Sequence, residues 1–586
     1  MVFGILDYCV LVFVLLFSAA IGIYFRFTGN RQKSNDEFLL ANKSMSMVPV
    51  AFSLMASFMS SITLLGVSNE NYLFGTQFVV INLSYGLATP IACYLFLPVF
   101  YKLQAASAYE YLGLRFGRIA RLFASIAFSL QMILYMGIVL YAPSLALEST
   151  TGIDKELAII IIGITVLFYC CLGGIKTVLY TDIFQSLLMF IAVFIVIISG
   201  VVYAGGIENI FREADKGKRL ELWNFDPDPT VRHTWFTLTI GGMFTYLTLY
   251  AVNQTQVQRL MTVKSLKSAQ NVLWWSWPIL TLLSFTTSFS GLVIYYYYRH
   301  CDPLKAGRIT KADQIMPIYV VDALGHIPGV CGLFVAGIFS ATLSTLSSCL
   351  NSLAAVTLED YVKPLFKLIF GKKLELSESH SAIPSKIIAA AYGIICILMA
   401  FIAKNFGGIL QISLTIFGAV GGPLLGLFTL GMATINANEI GSCIGLIAGI
   451  FFSLWIGFAD KPQPQPLKTL VDDCSNFNMF NVTQSIPNIT NVKENLEYFY
   501  LFRLSYWYTV VIGFLITVII GYATSLLFVV LKCHKKDKVD IDRGLINFDL
   551  FFPPIANKLK KKYATQNNKE QLISKIYLQS FKQIDE

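Results

Sequence analysis

The stretch FSATLSTLSSCLNSLAAV, residues 339–356, sets hydroxyls into an otherwise apolar run: between Ser340 and Ser352 seven of thirteen side chains are Ser or Thr. A hydroxyl carries one proton and two lone pairs. At helical spacing such groups can bond back to the i−4 carbonyl and let helices approach closely. They can also turn their oxygens on a small hard cation, replacing its water without a full negative charge. Ser340, Ser344, Ser348 and Ser352 share one helical face, flanked by Ala341 and Thr345. One helix cannot complete a coordination shell. The best second contributor in the chain is MASFMSSIT, residues 55–63.

Other polar groups in apolar surroundings leave two readings open. Asp182, in VLYTDIFQSLLMF, stands at the inner start of a hydrophobic stretch. A membrane carboxylate is costly and needs a partner or a task, unless it caps the helix at the water boundary. Glu70, in LGVSNENYLFG, has the same ambiguity on the outer side. Asn253, Gln254, Gln256 and Gln258 are dense for one helix end, and Gln411 lies beside Gly-rich backbone; such amides bind solute or join helices. Phe58, Tyr72 and Tyr135 could close over a solute or simply pack. No Lys or Arg lies deep in an apolar stretch apart from Arg259 at a helix end, so an anion would be held by helix N-termini, hydroxyls, amides and a bound cation. Glu110 and the row Arg115, Arg118 and Arg121 read as an inner loop and orientation anchor. The five histidines, at 233, 300, 326, 380 and 534, fall in loops or at helix edges, which argues against a buried His relay. Eleven cysteines include no CxxC pair; Cys301 and Cys474 are the two in outer loops and can pair. Without buried His, paired carboxylates or an activated nucleophile, an enzyme is the weakest reading.

The elements that must position these groups are membrane helices. With 13% charged residues, 55% hydrophobic residues and a mean hydropathy of +0.64, the 586-residue chain lies outside the soluble range. Thirteen stretches are long enough to span, near 5–25, 46–68, 78–101, 122–147, 157–175, 180–204, 234–256, 270–297, 328–356, 386–404, 409–433, 438–458 and 502–531. The first lacks a basic leader region and reads as a retained span. The net charge of +9 is spread over loops and tail, and so reports orientation rather than nucleic-acid binding. With the N-terminus outside and the C-terminus cytoplasmic, the inner segments hold 29 of 44 Lys and Arg, but 12 of these lie in the tail and the loops alone divide 17 to 15. The sequons at Asn481 and Asn488, in outer loop 459–501, support that orientation as glycosylation sites.

Two blocks of five spans, 46–204 and 234–433, each begin with a stretch rich in small polar residues: FSLMASFMSSITLLG and YAVNQTQVQR. Interruptions in matching places point to an inverted-repeat transporter, because backbone leaves helical geometry at membrane depth only beside protein or water. The domain division expected is 1–45 (first helix and inner loop), 46–204 (first repeat), 205–233 (outer loop), 234–433 (second repeat), 434–531 (last two helices with the glycosylated loop) and 532–586 (a cytoplasmic, Lys-rich, partly disordered tail).

The chain resembles the sodium/solute symporter family, in its branch of sodium-coupled monocarboxylate, multivitamin and iodide transporters. The resemblance covers roughly 1–535 and rests on SLMASFMSSITLLGVSNENYLFGTQ, SAYEYLGLRFG, LGGIKTVLYTDIFQ, VNQTQVQRLMTVKSLKSA, SATLSTLSSCLNSLAAVTLEDYVKP and GAVGGPLLGLFTLGM, in that order. It implies an all-α polytopic membrane protein of thirteen helices with a five-plus-five inverted-repeat, LeuT-like core. It implies a co-transported Na+ held by the backbone oxygens of Ala56, Met59 and Ala341 and the hydroxyls of Ser344 and Thr345. Met59 replaces the usual aliphatic residue, with little consequence for a backbone ligand. A second sodium would use Asp182, Ser347 and Ser348. The substrate-facing positions carried over are Thr63, Gln254, Gln411 and Thr415.

The function expected is sodium-coupled import of a small organic anion, a monocarboxylate, across the plasma membrane by alternating access. Its partners are the anion, sodium and the lipid bilayer, with no nucleic acid. Vitamin-type carboxylates and inorganic anions are alternative cargoes, and a non-transporting sensor or a proton-coupled carrier are rivals of another class.

Overall fold

A computed structural model describes residues 3–27, 40–104, 107–172, 175–372, 383–405, 407–462, 464–474, 498–531 and 547–562. Among them the chain is helical throughout, with only isolated bridges, Met45 to Val263 and Cys301 to Val471. Nine helices are long and apolar enough to cross a membrane, and ten if Met47–Phe58 and Ser61–Phe74, bent by 60°, count as one span. Three further stretches from the expected thirteen are helical but shorter or interrupted: Ile5–Phe27, Lys155–Leu172, and a segment in which Gly242–Tyr250 breaks before Gln254–Leu260.

The most apolar window of Val330–Phe370 is 89% buried, against 28% for Tyr508–Val530, so the serine-rich helix is the centre of the bundle and the last helix faces outward. The serine-rich helix packs against Met47–Phe58, Arg118–Thr151 and Ile175–Ala204. Close approach explains its small residues: a Cβ built at Gly337 would lie 2.5 Å from Ala192 Cβ and 2.8 Å from the Leu188 carbonyl. Most of its hydroxyls answer their own backbone, Ser340 to the Ala336 carbonyl (2.8 Å) and Ser352 to that of Ser348 (3.0 Å). Its outer end is tied to the first helix by Gly332 N–H donating to Asp7 (2.9 Å).

At the opposite end of the serine-rich helix arginines hold the helix ends. Arg115 donates to the carbonyls of Gly431, Thr434, Ile435 and Ala437, and Arg121 forks onto buried Asp360 at the end of the serine-rich helix. These two side chains are tertiary clamps, a more specific role than orientation anchors. Part of the tail is also ordered: the Phe552 N–H bonds the Met432 carbonyl (3.0 Å), Tyr111 OH bonds that of Leu550 (3.0 Å), and Phe551 and Phe552 are buried. A disulfide joins Cys301 to Cys474. Asn481 and Asn488, like His380 and His534, lie outside the described residues.

Because overpacking a close contact costs about 1–3 kcal/mol, Gly337→Val is expected to lower the thermal midpoint of the detergent-purified protein measurably. An unchanged midpoint would show that the two helices can part at that level.

Candidate functional site

The first broken helix sets the site. Met59 N–H makes a last helical bond to the Met55 carbonyl (3.0 Å), then the backbone turns out at Met59 (φ −79°, ψ 77°). Ser60 restarts the helix by capping Ile62 N–H (3.2 Å). The last four carbonyls of a helix have no partner within it, so those from Ala56 to Met59 must look elsewhere. The Ala56 carbonyl meets the serine-rich helix: Ser344 Oγ donates to it at 2.8 Å and Thr345 Oγ1 lies at 3.4 Å. The same hydroxyls lie 3.2 Å and 3.0 Å from the Ala341 carbonyl. Four neutral, buried oxygens from two facing helices thus stand about one hydrogen bond apart. Oxygens so spaced can share a cation at roughly 2.3–2.6 Å, the distance a hard ion such as Ca2+ takes. All four are neutral oxygens, so the set offers a hard cation hydroxyl and carbonyl ligands without a carboxylate.

Directly beside the break lies a central cavity of about 80 Å3. Phe58, Met59, Ser60 and Thr63 line it from the broken helix, Tyr135 from Arg118–Thr151, Tyr250 from the second broken helix, and Phe417 from Ile409–Ala433. The rings form one cluster, with Tyr135 to Phe417 centroids 4.6 Å apart and Phe58 to Phe417 5.5 Å. None of the described residues lining this cavity is charged.

Residues 38–449 match the sodium:solute symporter family. The chain belongs to that family. It is 54% identical to a putative sodium-dependent multivitamin transporter of Drosophila melanogaster, over 95% of this chain and 93% of that one. It is 44% identical to sodium-coupled monocarboxylate transporter 1 of Homo sapiens, over 84% and 81%. Among solved structures it is similar to a Na+-coupled sialic acid symporter in a substrate-bound outward-open state, with a TM-score of 0.72 and 26% identity over 90% of this chain and 98% of that one. A nucleobase-cation-symport-1 family transporter at 12% identity and a TM-score of 0.51, over 87% and 98%, shares the fold alone. The protein is a sodium-coupled, multi-pass membrane symporter and not an enzyme.

Within this symporter the expected residues divide. Ala56, Ala341, Ser344 and Thr345 come together, and Met59 is the break residue itself. Thr63 lines the central cavity, its hydroxyl 3.4 Å from the Phe58 carbonyl. Gln254 does not reach that cavity: its side-chain oxygen accepts the Ala108 N–H (2.7 Å) of the inner loop. Gln256 likewise bonds the Leu54 carbonyl (3.0 Å), so these amides join helices. Gln411 and Thr415 line a separate outer cavity of about 480 Å3. Tyr72 packs near Tyr295 and Arg219, away from any solute path described here.

Asp182 is fully buried rather than at a water boundary, and Arg259 is buried with it. Ser53 Oγ donates to Asp182 (2.5 Å) and Arg259 Nη2 lies 3.4 Å from the same carboxylate oxygen. Arg259 also donates to Ser53 Oγ (2.7 Å), to the Thr255 carbonyl (3.2 Å) and to Ser348 Oγ. Two of the three groups expected around a second sodium therefore share one guanidinium, and Ser347 bonds back to the Ser344 carbonyl (3.1 Å). The motif VNQTQVQR carried this arginine, but its place at a helix end concealed that the end is internal.

The outer cavity holds a charged cluster that the sequence did not join. Arg232 forks onto Glu70 at 2.6 and 3.0 Å and donates to Gln411 at 2.9 Å. His233 Nε2 lies 3.2 Å from Glu70 and 3.1 Å from Tyr506 OH. Burial pushes the His233 imidazole down to about 4, with Glu70 opposing and Arg232 adding to the shift, so it is neutral at pH 7. Nearby, burial pushes the Asp313 carboxyl up to about 6, opposed by the Ile409 N–H and the Asn69 amide.

Removing one partner of a buried ion pair leaves an uncompensated charge and costs about 3–5 kcal/mol. Asp182→Asn and Arg259→Gln should each sharply reduce folded, surface-expressed symporter, and the pair together should recover much of it. Equal losses in singles and double would contradict the coupling.

Proposed function

We propose that this symporter imports a small organic monocarboxylate with sodium across the plasma membrane, and that its sodium site is the four-oxygen cluster of Ala56, Ala341, Ser344 and Thr345, completed by the Met59 carbonyl. The observation that carries this reading is the cluster's position against a small cavity whose described lining has no charged side chain. An anion entering such a cavity loses its water and meets no protein cation. Sodium one helical turn away supplies the missing positive charge. Its binding fixes the loose backbone at Met59 and Ser60, which also forms the cavity wall. Each ligand then raises the affinity of the other, which is the thermodynamic content of coupling.

The narrow cavity favours small anions, and relatives named as monocarboxylate transporters agree with that choice. A vitamin-type carboxylate is the second reading, favoured by the 54% identical relative named as a multivitamin transporter. Topologically we read thirteen spans with 46–204 and 234–433 as inverted repeats, the N-terminus outside and the C-terminus in the cytoplasm. The two broken helices, interrupted at Met59–Ser60 and between Tyr250 and Gln254, support that division.

Stoichiometry has an electrical signature. A charge crossing 100 mV is worth about 2.3 kcal/mol and a tenfold sodium gradient about 1.4 kcal/mol. One sodium with one monovalent anion moves no net charge and supports roughly a tenfold solute gradient. Two sodiums carry an inward current and support about several thousandfold. A second ion at Asp182, Ser347 and Ser348 would have to draw Asp182 and Ser348 from Arg259.

The test is uptake of labelled propionate, benzoate and biotin in sodium against choline. Uptake that needs sodium is expected, with Ser344→Ala plus Thr345→Ala raising the half-saturating sodium concentration at least tenfold. Sodium-independent uptake, or wild-type sodium dependence in the double variant, would overturn the assignment.

A further inference from the structure

The larger cavity, which faces outward on the proposed topology, adjoins the central one at Leu410. Leu410 lines both, and opposite it a Cβ at Gly66 would come within 2.8 Å of Leu410 Cβ. Gly66 lies on Ser61–Phe74 and Leu410 on Ile409–Ala433, so these two helices close the path inward. One helical turn outward from Gly66 the same helices are joined again, this time through Arg232: Glu70 belongs to the first and Gln411 to the second. Arg232 itself comes from the turn that precedes the second broken helix.

The surroundings of Arg232 are those of a carboxylate receptor that is already filled. Its guanidinium presents two parallel donors to both oxygens of Glu70, the fork geometry that distinguishes arginine from lysine. The Phe74 and Tyr506 rings lie 4.3 and 4.9 Å from it and fix its plane. It faces two outer cavities, of about 290 and 480 Å3, that share Phe74, Gln411 and Lys461 with it. Lys461 and Asp460 line the same mouth, and Asp313 lies deeper in the larger of the two cavities, so Arg232 is the cation there that is held in a fork geometry. Glu70 also has the neutral His233 ring within 3.2 Å, a hydrogen-bond donor beside the guanidinium.

We propose that Arg232 is the outer docking site for the substrate's carboxylate, and that Glu70 is an internal stand-in which the arriving anion displaces. This rests on the reading of the cargo as a small organic anion and specifies where that anion first binds. Exchange of one carboxylate for another keeps the fork satisfied, so the incoming anion need not strip a fully hydrated arginine. The exchange also releases the link between Ser61–Phe74 and Ile409–Ala433, the helices that meet at Gly66 and Leu410. Docking and opening of the inward path are then one event, and a neutral solute of the same size cannot trigger it.

The sign of the effect separates this from a structural salt bridge. Full-length protein is expressed in cells, with surface amount measured, and the concentration dependence of propionate, benzoate and biotin uptake is read in sodium. Arg232→Gln should raise KM at least tenfold, with Arg232→Lys recovering little of it. Glu70→Gln should lower KM, because the arginine loses its competitor. Glu70→Arg combined with Arg232→Glu should not restore anion uptake. A bridge that only holds helices together predicts KM shifts in the same direction for both single changes and recovery in the swap, and that result would overturn the proposal. Should Arg232→Gln fail to reach the surface, the direction of the Glu70→Gln shift decides alone. Wild-type protein that takes up none of the three anions would sink the cargo reading and this site with it; wild-type uptake with an unchanged KM in Arg232→Gln sinks the docking site only.

Discussion

The structure depends on a broken helix whose freed carbonyl is taken up by the hydroxyls of its neighbour. A transmembrane helix satisfies its own backbone, and any interruption at membrane depth must find other partners or stay out of the apolar region. Here the interruption at Met59 and Ser60 is tolerated because Ser344 and Thr345 stand opposite Ala56. Each such bond is worth only about 0.5–1.5 kcal/mol net, so the arrangement can be traded for coordination of an ion at little cost. The proposed sodium site would thus be firm enough to shape the cavity wall and loose enough to release its ion. The remaining hydroxyls of the run, bonded back to their own helix, let it sit close to its neighbours.

Charged groups divide the molecule into layers around that centre. On one side of it, Arg259 and Asp182 are fully buried and knit the first broken helix, the second broken helix and the serine-rich helix together through Ser53 and Ser348. Elsewhere Arg115 and Arg121 clamp carbonyls and Asp360. Around the larger cavity, Arg232, Glu70, His233 and Gln411 join elements far apart in the chain. The central cavity between these layers is lined, among the described residues, by uncharged groups. If the cargo is the anion proposed above and binds in that cavity, the co-transported cation is its natural partner.

Much of this could be read from residues alone. Hydroxyls at four-residue spacing, facing a stretch of small residues, placed the two helices that meet, and hydropathy located the helices. Family motifs named Ala56, Ala341, Ser344 and Thr345, which the fold brings together. What the chain did not disclose was depth and partnership. Arg259 sits at a helix end in sequence, but the end of Gln254–Leu260 that carries it is buried inside the bundle. Asp182 was ambiguous for the same reason. The family resemblance places Gln254 at the solute, but its side-chain oxygen accepts the Ala108 N–H instead. Glu70 and Arg232 are 162 residues apart, and no local pattern marks a pair of that separation. The helices that bring them together were foreseen; their register was not.

The central claim is tested most directly by sodium binding without any solute. A cation that binds only the folded state raises its stability by RT ln(1 + [L]/Kd), about 2.7 kcal/mol at a hundredfold excess over Kd. The thermal midpoint of purified full-length protein should therefore climb with sodium chloride and stay flat with choline chloride at equal ionic strength. Removing the Ser344 and Thr345 hydroxyls together should abolish the climb. A wild-type midpoint indifferent to sodium, or the same climb without those two hydroxyls, would contradict the account.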